Sequence, residues 1–326
     1  MVGARGRVTP LPSPHAVIDR LVRIVLNGQM FDYSDNIMGK PCDLLGGVKR
    51  QQAVHALRLK RLEPPDSPGQ GVRLASAPGF LSKSSPMNNH SWKTEVLLAG
   101  NWRGATSTLL SRGDHHIIID TGMPHEAYRL LEALEKRGLH PSDIRMIINT
   151  HFHVDHVLNN SLFPASDIYA TQQSYDWCCA AYSDLLDDQN WEKLALKYYP
   201  EAAQYAQEQK LKDALRRVAL RWWDRKRLGD PSRFRWIEKS PWPEDLEFLV
   251  TSGHVPGHVS VILDHADQPT VIAGDTVLSR EHDENVLTMI PHNRQQFQRD
   301  RDRILAMKAH IVPGHDDEFS NSDATK

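Results

Sequence analysis

Metal-binding side chains are concentrated in one short segment, NTHFHVDHVLNN, which runs from Asn149 to Asn160. Imidazole and carboxylate groups are good ligands for zinc and other first-row metals. The segment offers four of them in close succession: His151, His153, Asp155 and His156. It follows an apolar run, so a turn at the end of a buried strand can aim these side chains in two directions. The first two can serve one ion and the last two a second ion.

Four ligands cannot complete two metal sites, so further ligands are expected downstream. Three later segments, TSGHVPGH, VIAGDT and IVPGH, each place such side chains at the end of an apolar run or in a turn between two of them. The residues they supply are His254, His258, Asp275 and His315. Any one of them alone is more typical of a turn. In this order and together with the first segment, they predict a two-metal site at the edge of a sheet.

The elements that must position these residues begin near His90. The apolar pattern predicts helices over Pro124 to Arg137, where Gly138 is a stop signal, and over Gln295 to Lys308. It predicts a long, mostly helical stretch after Gln172. Strands are predicted for the segments WKTEVLLAG, ATSTLLS, HHIIIDTG, IRMIINTH, SDIYAT, LEFLVTSG, HVSVILD, PTVIAGDT and HIVPGH. This order indicates an α+β fold with two sheets and helices outside them.

Residues 1–86 differ in composition from the rest of the chain. The segments TPLPSP, EPPDSPGQG and KSSP are typical of turns and linkers. Two short amphipathic pieces, Val17–Leu26 and Val54–Leu62, lie between them. We therefore expect residues 1–86 to be a largely disordered extension and residues 87–326 to form the domain. An excess of arginine before position 30 leaves an organellar transit peptide open.

Composition and charge exclude few function classes. Hydrophobic residues make up 40% and charged residues 25%, as in soluble globular proteins. The formal net charge of −2 gives no global field that would attract nucleic acid or a membrane surface. No apolar run reaches the roughly 18 residues of a membrane span, and we expect no membrane partner. The three cysteines form no disulfide framework, which favours a reducing, cytoplasmic location.

The order of these motifs resembles the metallo-β-lactamase superfamily over roughly His90 to Phe319. Asp120 in IIIDTG supplies the one family motif not yet described. The resemblance implies an αββα sandwich that holds two zinc ions. It implies that the first zinc is bound by His151, His153 and His254, and the second by Asp155, His156 and His315. Asp275 would bridge both ions, Asp120 would orient a ligand histidine, and His258 would be structural.

The mechanism implied by the resemblance is hydrolysis by a metal-bridging hydroxide. One ion would polarise the electrophile while the other stabilises the leaving oxygen. Asp155, a ligand and the nearest carboxylate, is the candidate for catalytic proton transfer. Iron or manganese can occupy such a ligand set in place of zinc.

Two branches of the superfamily are similar to this chain, and they differ in substrate. The motifs GHVPGHVSV, AGDT and VPGHD resemble acyl-homoserine lactonases, but the tyrosine that commonly follows the bridging aspartate in that group is absent. The segments IIIDTGMPHEAYRLLEALEKRGLHPSDIRMIINTH, NNSLFP and RDRDRILAMKAHIVPGHDDEF resemble the branch of metallo-β-lactamase domain-containing protein 1, which is linked to RNA cleavage. That branch lacks the long insertion found here.

The insertion, residues 172–242, bears on the choice of substrate. It contains six of the eight tryptophans, which could line a pocket for a small molecule over the active site or simply pack the inserted helices. It also contains the basic segment RRVALRWWDRKR, which could bind nucleic acid or be a solvated helix face. We predict hydrolysis of an ester or lactone in a small molecule. A metal-dependent phosphodiesterase or ribonuclease is the alternative, and a non-catalytic binding protein of the same fold is a third hypothesis.

Overall fold

The computed structural model describes residues 73–74, 91–101, 104–185, 191–198, 200, 213, 216, 225–264, 268–280 and 291–321. Most of the predicted extension, including its two amphipathic pieces, lies outside the described residues. So does much of the middle of the predicted insertion, between residues 199 and 224. None of the described helices is long and apolar enough to cross a membrane.

The described strands form two six-stranded sheets. The first has the order β2-β3-β4-β5-β6-β7 and the second β1-β8-β9-β10-β11-β12. Strands of the first sheet are β2 (Lys93–Leu98), β3 (Ser107–Arg112), β4 (His115–Ile119), β5 (Ile144–Ile148), β6 (Asp167–Ala170) and β7 (Phe234–Trp236). Those of the second are β1 (Arg73–Leu74), β8 (Leu246–Val250), β9 (Val259–Leu263), β10 (Thr270–Gly274), β11 (His310–Pro313) and β12 (Phe319–Ser320).

The α-helices in the described part of the chain are α1 (Ala127–Glu135), α2 (Val154–Val157), α3 (Gln172–Leu185), α4 (Trp191–Tyr198) and α5 (Arg294–Leu305). Short 3₁₀ segments cover Pro124–Glu126, Pro141–Asp143, Asn160–Leu162, Arg225–Leu228 and Pro231–Arg233. The helix predicted over Pro124 to Arg137 therefore forms as one 3₁₀ turn followed by α1. It is followed by Gly138, which has a φ of +71°, the left-handed conformation expected of a glycine stop signal.

The main core lies between the two sheets. Buried side chains of the first sheet, such as Leu110 and Ile148, pack there with Phe248 and Val261 of the second. Each strand can direct one row of side chains into this core because successive side chains point to opposite sides of a sheet. The outer face of each sheet is covered by a helix: Leu130 and Leu134 of α1 pack on the first, and Ile304 of α5 packs on the second. These four layers are the predicted αββα sandwich, and that prediction is confirmed.

Two short strands were not predicted from the sequence. Strand β7 lies inside the range 172–242, which we expected to be helical, and pairs in parallel with β6 at the edge of the first sheet. Only three residues long, it offers too short a pattern to recognise. Strand β1 lies inside the range 1–86 and pairs antiparallel with β8, with Arg73 opposite Leu249 and Leu74 opposite Phe248.

Because β1 pairs with β8, removing β1 from the chain should lower the stability of the domain. We expect a chain that begins at residue 72 and one that begins at Met87 both to fold, because the linker-like composition before the domain offers little core. The shorter chain should be less stable by about 1–2 kcal/mol, because it loses the backbone hydrogen bonds of β1. Thermal unfolding followed by circular dichroism measures the difference. An insoluble chain from Met87 would show that β1 is required for folding.

Candidate metal centre

The ligand-rich segment lies directly after β5, at the carboxyl end of a buried strand. His151 and His153 lie in the connecting turn, and His153 is the extended N-cap residue of α2, with φ −67° and ψ 151°. Asp155 and His156 therefore lie within the short helix α2. The backbone changes from extended to helical at His153, and the two pairs of side chains fall into two different groups of candidate ligands.

The structure brings all seven predicted ligand residues together. One group consists of His151, His153, His254 and Asp275, and the other of Asp155, His156 and His315. Within each group, the candidate ligand atoms all lie within 4.8 Å of one another. His254 comes from the turn between β8 and β9, Asp275 follows β10, and His315 follows β11. Strands of both sheets thus contribute to one site.

The carboxylate of Asp275 lies between the two groups. Its Oδ2 is 3.2 Å from Nε2 of His254 and 3.7 Å from Nε2 of His151. Its Oδ1 is 3.2 Å from Nε2 of His156 and 3.3 Å from Nε2 of His315. Each oxygen therefore faces the imidazoles of a different group, which is the arrangement that a bridging ligand requires.

Several polar atoms of the site are buried and have no hydrogen-bond partner among the described residues. They are Nε2 of His151, His156 and His315, and both carboxylate oxygens of Asp275. Burying a charged or polar group without a partner costs several kcal/mol, so such groups are normally paired or bound to a metal. Nitrogen and oxygen donors of this kind are typical zinc ligands. The residues present therefore fit a divalent metal.

Burial and charge separate the histidines into two classes. Burial lowers the pKa of His151 and His254 well below the usual value, and lowers that of His153 to about 4. These rings are therefore neutral, the form in which imidazole binds metal.

The histidines of the second group have raised pKa values in the protein without metal. Burial by itself would lower the pKa of His156, but the charges of Asp275 and Asp120 outweigh it and raise the pKa well above 6.5. Burial likewise opposes a raised pKa at His315, and Asp275 again outweighs it. The carboxyl group of Asp275 would have a raised pKa from burial alone, yet His156 and His315 hold its pKa well below 3.8. A divalent cation between these atoms would supply the same positive charge and release protons from the imidazoles.

Asp120 fixes the orientation of His156. Its Oδ2 accepts a hydrogen bond from Nδ1 of His156 at 2.7 Å, so Nε2 of that ring points to Asp275. The carboxylate is held in turn by Thr150, whose backbone N–H and side-chain hydroxyl donate at 2.8 and 2.7 Å. Asp120 itself has a φ of +56°, a strained value for a residue other than glycine. The hydrogen bond to a ligand histidine that the resemblance implied is present.

His258 supports Asp275 from behind. Its Nε2 accepts a hydrogen bond from the backbone N–H of Asp275 at 3.1 Å, and its Nδ1–H donates to Oγ1 of Thr251 at 2.8 Å. Burial lowers the pKa of His258 to about 3, which keeps the ring neutral. Gly274 has a φ of +53°, and a Cβ there would lie 2.8 Å from Nε2 of His258. The position before Asp275 therefore requires glycine.

Three supporting residues were not found by sequence reasoning. The backbone carbonyl of Asn101 accepts a hydrogen bond from Nδ1 of His315 at 2.7 Å. Oδ2 of Asp300, in α5, accepts from the backbone N–H of Gly253 at 3.0 Å, beside His254. Thr150 is the third. A backbone carbonyl leaves no trace in residue type, and Asp300 is distant in the sequence. Only the position of Thr150 next to His151 could have suggested a role.

Helix α3 of the insertion lies beside the first ligand group. The ring centroid of Trp177, in α3, is 6.4 Å from that of His153. Tyr175 packs on Phe152, with centroids 5.1 Å apart. Trp242 instead packs on Phe248 in the core between the sheets. Trp222 and Trp223 lie outside the described residues. Of the basic segment, the 3₁₀ residues Arg225, Lys226 and Arg227 are described and exposed.

Comparison with known proteins agrees with this geometry. Residues 100–315 match the sequence model of the Metallo-beta-lactamase superfamily. The human protein named Metallo-beta-lactamase domain-containing protein 1 is 26% identical over 66% of this chain, and the match spans 64% of the human protein, slightly less than two thirds of its length. The mouse protein of the same name is 26% identical over 79% of this chain and 80% of its own length.

The solved structures to which this chain is similar include AidC, described as a dizinc quorum-quenching lactonase, in complex with a product. It is 19% identical, with a TM-score of 0.47 over 65% of this chain and 72% of its own. A putative metallo-beta-lactamase from Thermotoga maritima is 21% identical, with a TM-score of 0.44 over 71% of this chain and 100% of its own. Together, the match to the family sequence model, the αββα layers and the geometry of the candidate ligands show that the chain belongs to the metallo-β-lactamase superfamily.

Proposed function

We propose that this chain is a binuclear zinc hydrolase that cleaves an ester or lactone bond in a small molecule. The observation that carries the proposal is the position of Asp275, whose two carboxylate oxygens face two separate groups of ligand atoms. We assign the first ion to His151, His153 and His254, and the second to Asp155, His156 and His315. Asp275 would bind both ions.

The roles of the protein's own residues follow from burial. When bound, two zinc ions supply Lewis acidity and lower the pKa of water towards neutrality. Side chains of Asp275 and Asp120 are 0% and 3% exposed, whereas that of Asp155 is 17% exposed. Asp155 is therefore the carboxylate of the site that can exchange protons with solvent and substrate. Its Oδ2 lies 3.5 Å from Nε2 of His315, within the second group of candidate ligands. We assign proton transfer to Asp155.

The donor set favours zinc. Five imidazoles and two carboxylates, without a thiolate, suit zinc and also accommodate iron or manganese. Zinc stands above manganese and iron in the general order of affinity for nitrogen and oxygen sites. The complete set of donors also speaks against the hypothesis of a non-catalytic binding protein.

The surroundings of the two ligand groups favour an uncharged substrate. Trp177 lies beside His153 in the first group, and aromatic rings bind apolar substituents well. One observation favours the alternative, a phosphodiesterase acting on RNA: three consecutive basic residues, Arg225, Lys226 and Arg227, are exposed at the end of the insertion. Phosphate contacts by such residues would make activity strongly dependent on salt.

Metal analysis tests the ligand assignment. The purified protein should contain close to two divalent ions per chain, mostly zinc, by elemental analysis. His151→Ala or His156→Ala should lose metal and hydrolytic activity together, because each change removes a ligand from a different ion. His116→Ala is the matched control, since this half-buried histidine bonds to Ser111 outside the site. Full activity in either ligand variant would contradict the assignment.

The neutral ring of His258 should make the stability of the fold depend on pH. Its pKa of about 3 in the fold lies below the ordinary value of 6.5, so the unfolded chain binds a proton that the folded chain does not. The stability from the neutral ring is present above pH 6.5 and is lost as the pH falls from 6.5 towards 3. In His258→Gln this loss is absent, because glutamine does not titrate.

Metal-free wild type should therefore lose stability relative to His258→Gln by up to about 1.4 kcal/mol for each pH unit below 6.5. Urea unfolding of both proteins near neutral pH and at about pH 5 measures this change. An identical difference between the two proteins at both pH values would show that His258 is not held neutral by the fold.

Salt dependence separates the two kinds of substrate. On a small ester or lactone, kcat/KM should be nearly independent of salt, and replacing Arg225, Lys226 and Arg227 by alanine should change it little. On RNA, each lost phosphate contact should reduce the slope of log kcat/KM against log salt by about one. The expected result is lactone turnover with a kcat/KM that does not change with salt concentration. RNA cleavage with a steep slope that flattens in the triple variant would favour the phosphodiesterase instead.

A further inference from the structure

We propose that Trp177 is a specificity-determining residue, against whose indole ring the apolar acyl group of the substrate packs. This inference rests on the proposed ester or lactone hydrolysis and names the substrate class further: carboxylic esters or lactones that carry an extended hydrocarbon chain. Three observations support it, namely the position of the ring, the way it is held, and its contrast with the neighbouring aromatic residues.

The ring lies at the accessible side of the first ligand group. Trp177 and His153 are both half-buried, and their ring centroids are 6.4 Å apart. His151 and His254, the other two histidines of that group, are fully buried. Our inference places the route of the substrate to the first ligand group along this half-buried pair. Its reacting carbonyl would lie near the metal ligands, and its acyl group beside the indole.

Two edge-on contacts hold the ring in place. Tyr198, at the end of α4, lies 5.6 Å from Trp177 with an interplanar angle of 84°. His292, just before α5, lies 5.7 Å away at 80°. Such edge-to-face pairs stabilise a defined ring orientation. Trp177 is thus fixed by two elements outside its own helix.

The same two residues connect the ring to the metal centre. Nδ1 of His292 donates a hydrogen bond to the carbonyl oxygen of Tyr198 at 2.9 Å. The backbone N–H of His292 donates to the carbonyl oxygen of His254 at 2.8 Å. The hydroxyl of Tyr198 bonds to Asp184 of α3 at 2.5 Å, which joins α4 back to the helix that carries Trp177. These bonds fix the distance between the indole and the first ligand group before any substrate binds, as a specificity surface requires.

Other aromatic residues of the insertion have a different role. Trp236 contacts Tyr175 at 5.4 Å and stacks on Phe234 at 5.6 Å, so it packs within an aromatic layer. Trp242 is in the main core. Among the tryptophans whose side chains the structure describes, Trp177 is the one with a ring contact to a ligand histidine.

The first experiment compares substrates of increasing acyl length. We expect Trp177→Ala to reduce kcat/KM at least about tenfold for p-nitrophenyl octanoate, mainly through KM, and much less for p-nitrophenyl acetate, because each buried methylene contributes roughly fourfold to binding. Trp177→Phe should restore part of the loss. Trp236→Ala, which also removes a half-buried indole, should change kcat/KM by the same factor for substrates of every acyl length. Equal losses for Trp177→Ala at every length would overturn the inference.

A second experiment does not depend on turnover. Binding of decanoate to the zinc-loaded full chain is measured by calorimetry, and should weaken at least about tenfold in Trp177→Ala but not in Trp236→Ala. If no ester or lactone is hydrolysed and this difference is still found, the proposed reaction fails while the acyl contact stands. If esters are hydrolysed and decanoate binds both variants equally, the contact fails while the reaction stands. Loss of zinc from both Trp177→Ala and Trp177→Phe would show a structural role and overturn the inference.

Discussion

The carboxylate of Asp275 is completely buried, ionised, and without a hydrogen-bond partner on either oxygen among the described residues. A buried charge of this kind is stable only if positive charge lies close by. In the protein alone, His156 and His315 supply it. Divalent ions on either side of the carboxylate would supply more, and would let the imidazoles act as neutral ligands. The requirement to balance this one charge is consistent with the five imidazoles that surround Asp275, which come from both sheets.

The fold meets the requirement by placing short turns at the ends of buried strands. Strand β10 lies between β9 and β11, so Asp275 is positioned from the middle of its sheet. Behind it, Nε2 of His258 accepts a hydrogen bond from the backbone N–H of Asp275. A side chain on Gly314 would collide with Oδ1 of Asp275. At the ends of strands of the first sheet, Asp120 and Thr150 fix the orientation of the His156 ring. Side chains that touch no reacting atom therefore hold the geometry of the ligands, as is usual around protein metal sites.

Residue type and spacing predicted which side chains the fold brings together, because metal binding needs particular side chains, and strand ends are visible as changes from apolar to polar residues. The apolar pattern predicted two sheets with helices outside them, and the family resemblance implied the αββα sandwich. Strand β7 escaped prediction because three residues carry no recognisable period. The carbonyl of Asn101 escaped because a backbone acceptor is independent of residue type. The position of Trp177 beside His153 could not be predicted either, since many tryptophans of the insertion are equivalent by sequence, and only tertiary packing distinguishes Trp177 from Trp236 and Trp242.

The central claim, that one aspartate lies between two metal ions, is tested most directly by X-ray absorption at the zinc edge of the metal-loaded protein. The account predicts a first shell of nitrogen and oxygen only, and a second zinc scatterer at about 3.5–4 Å. That zinc–zinc signal should disappear in Asp275→Ala, while Asp300→Ala, which changes a supporting carboxylate, should retain it. A spectrum of isolated zinc in the wild-type protein, or one that requires sulfur ligands, would contradict the account.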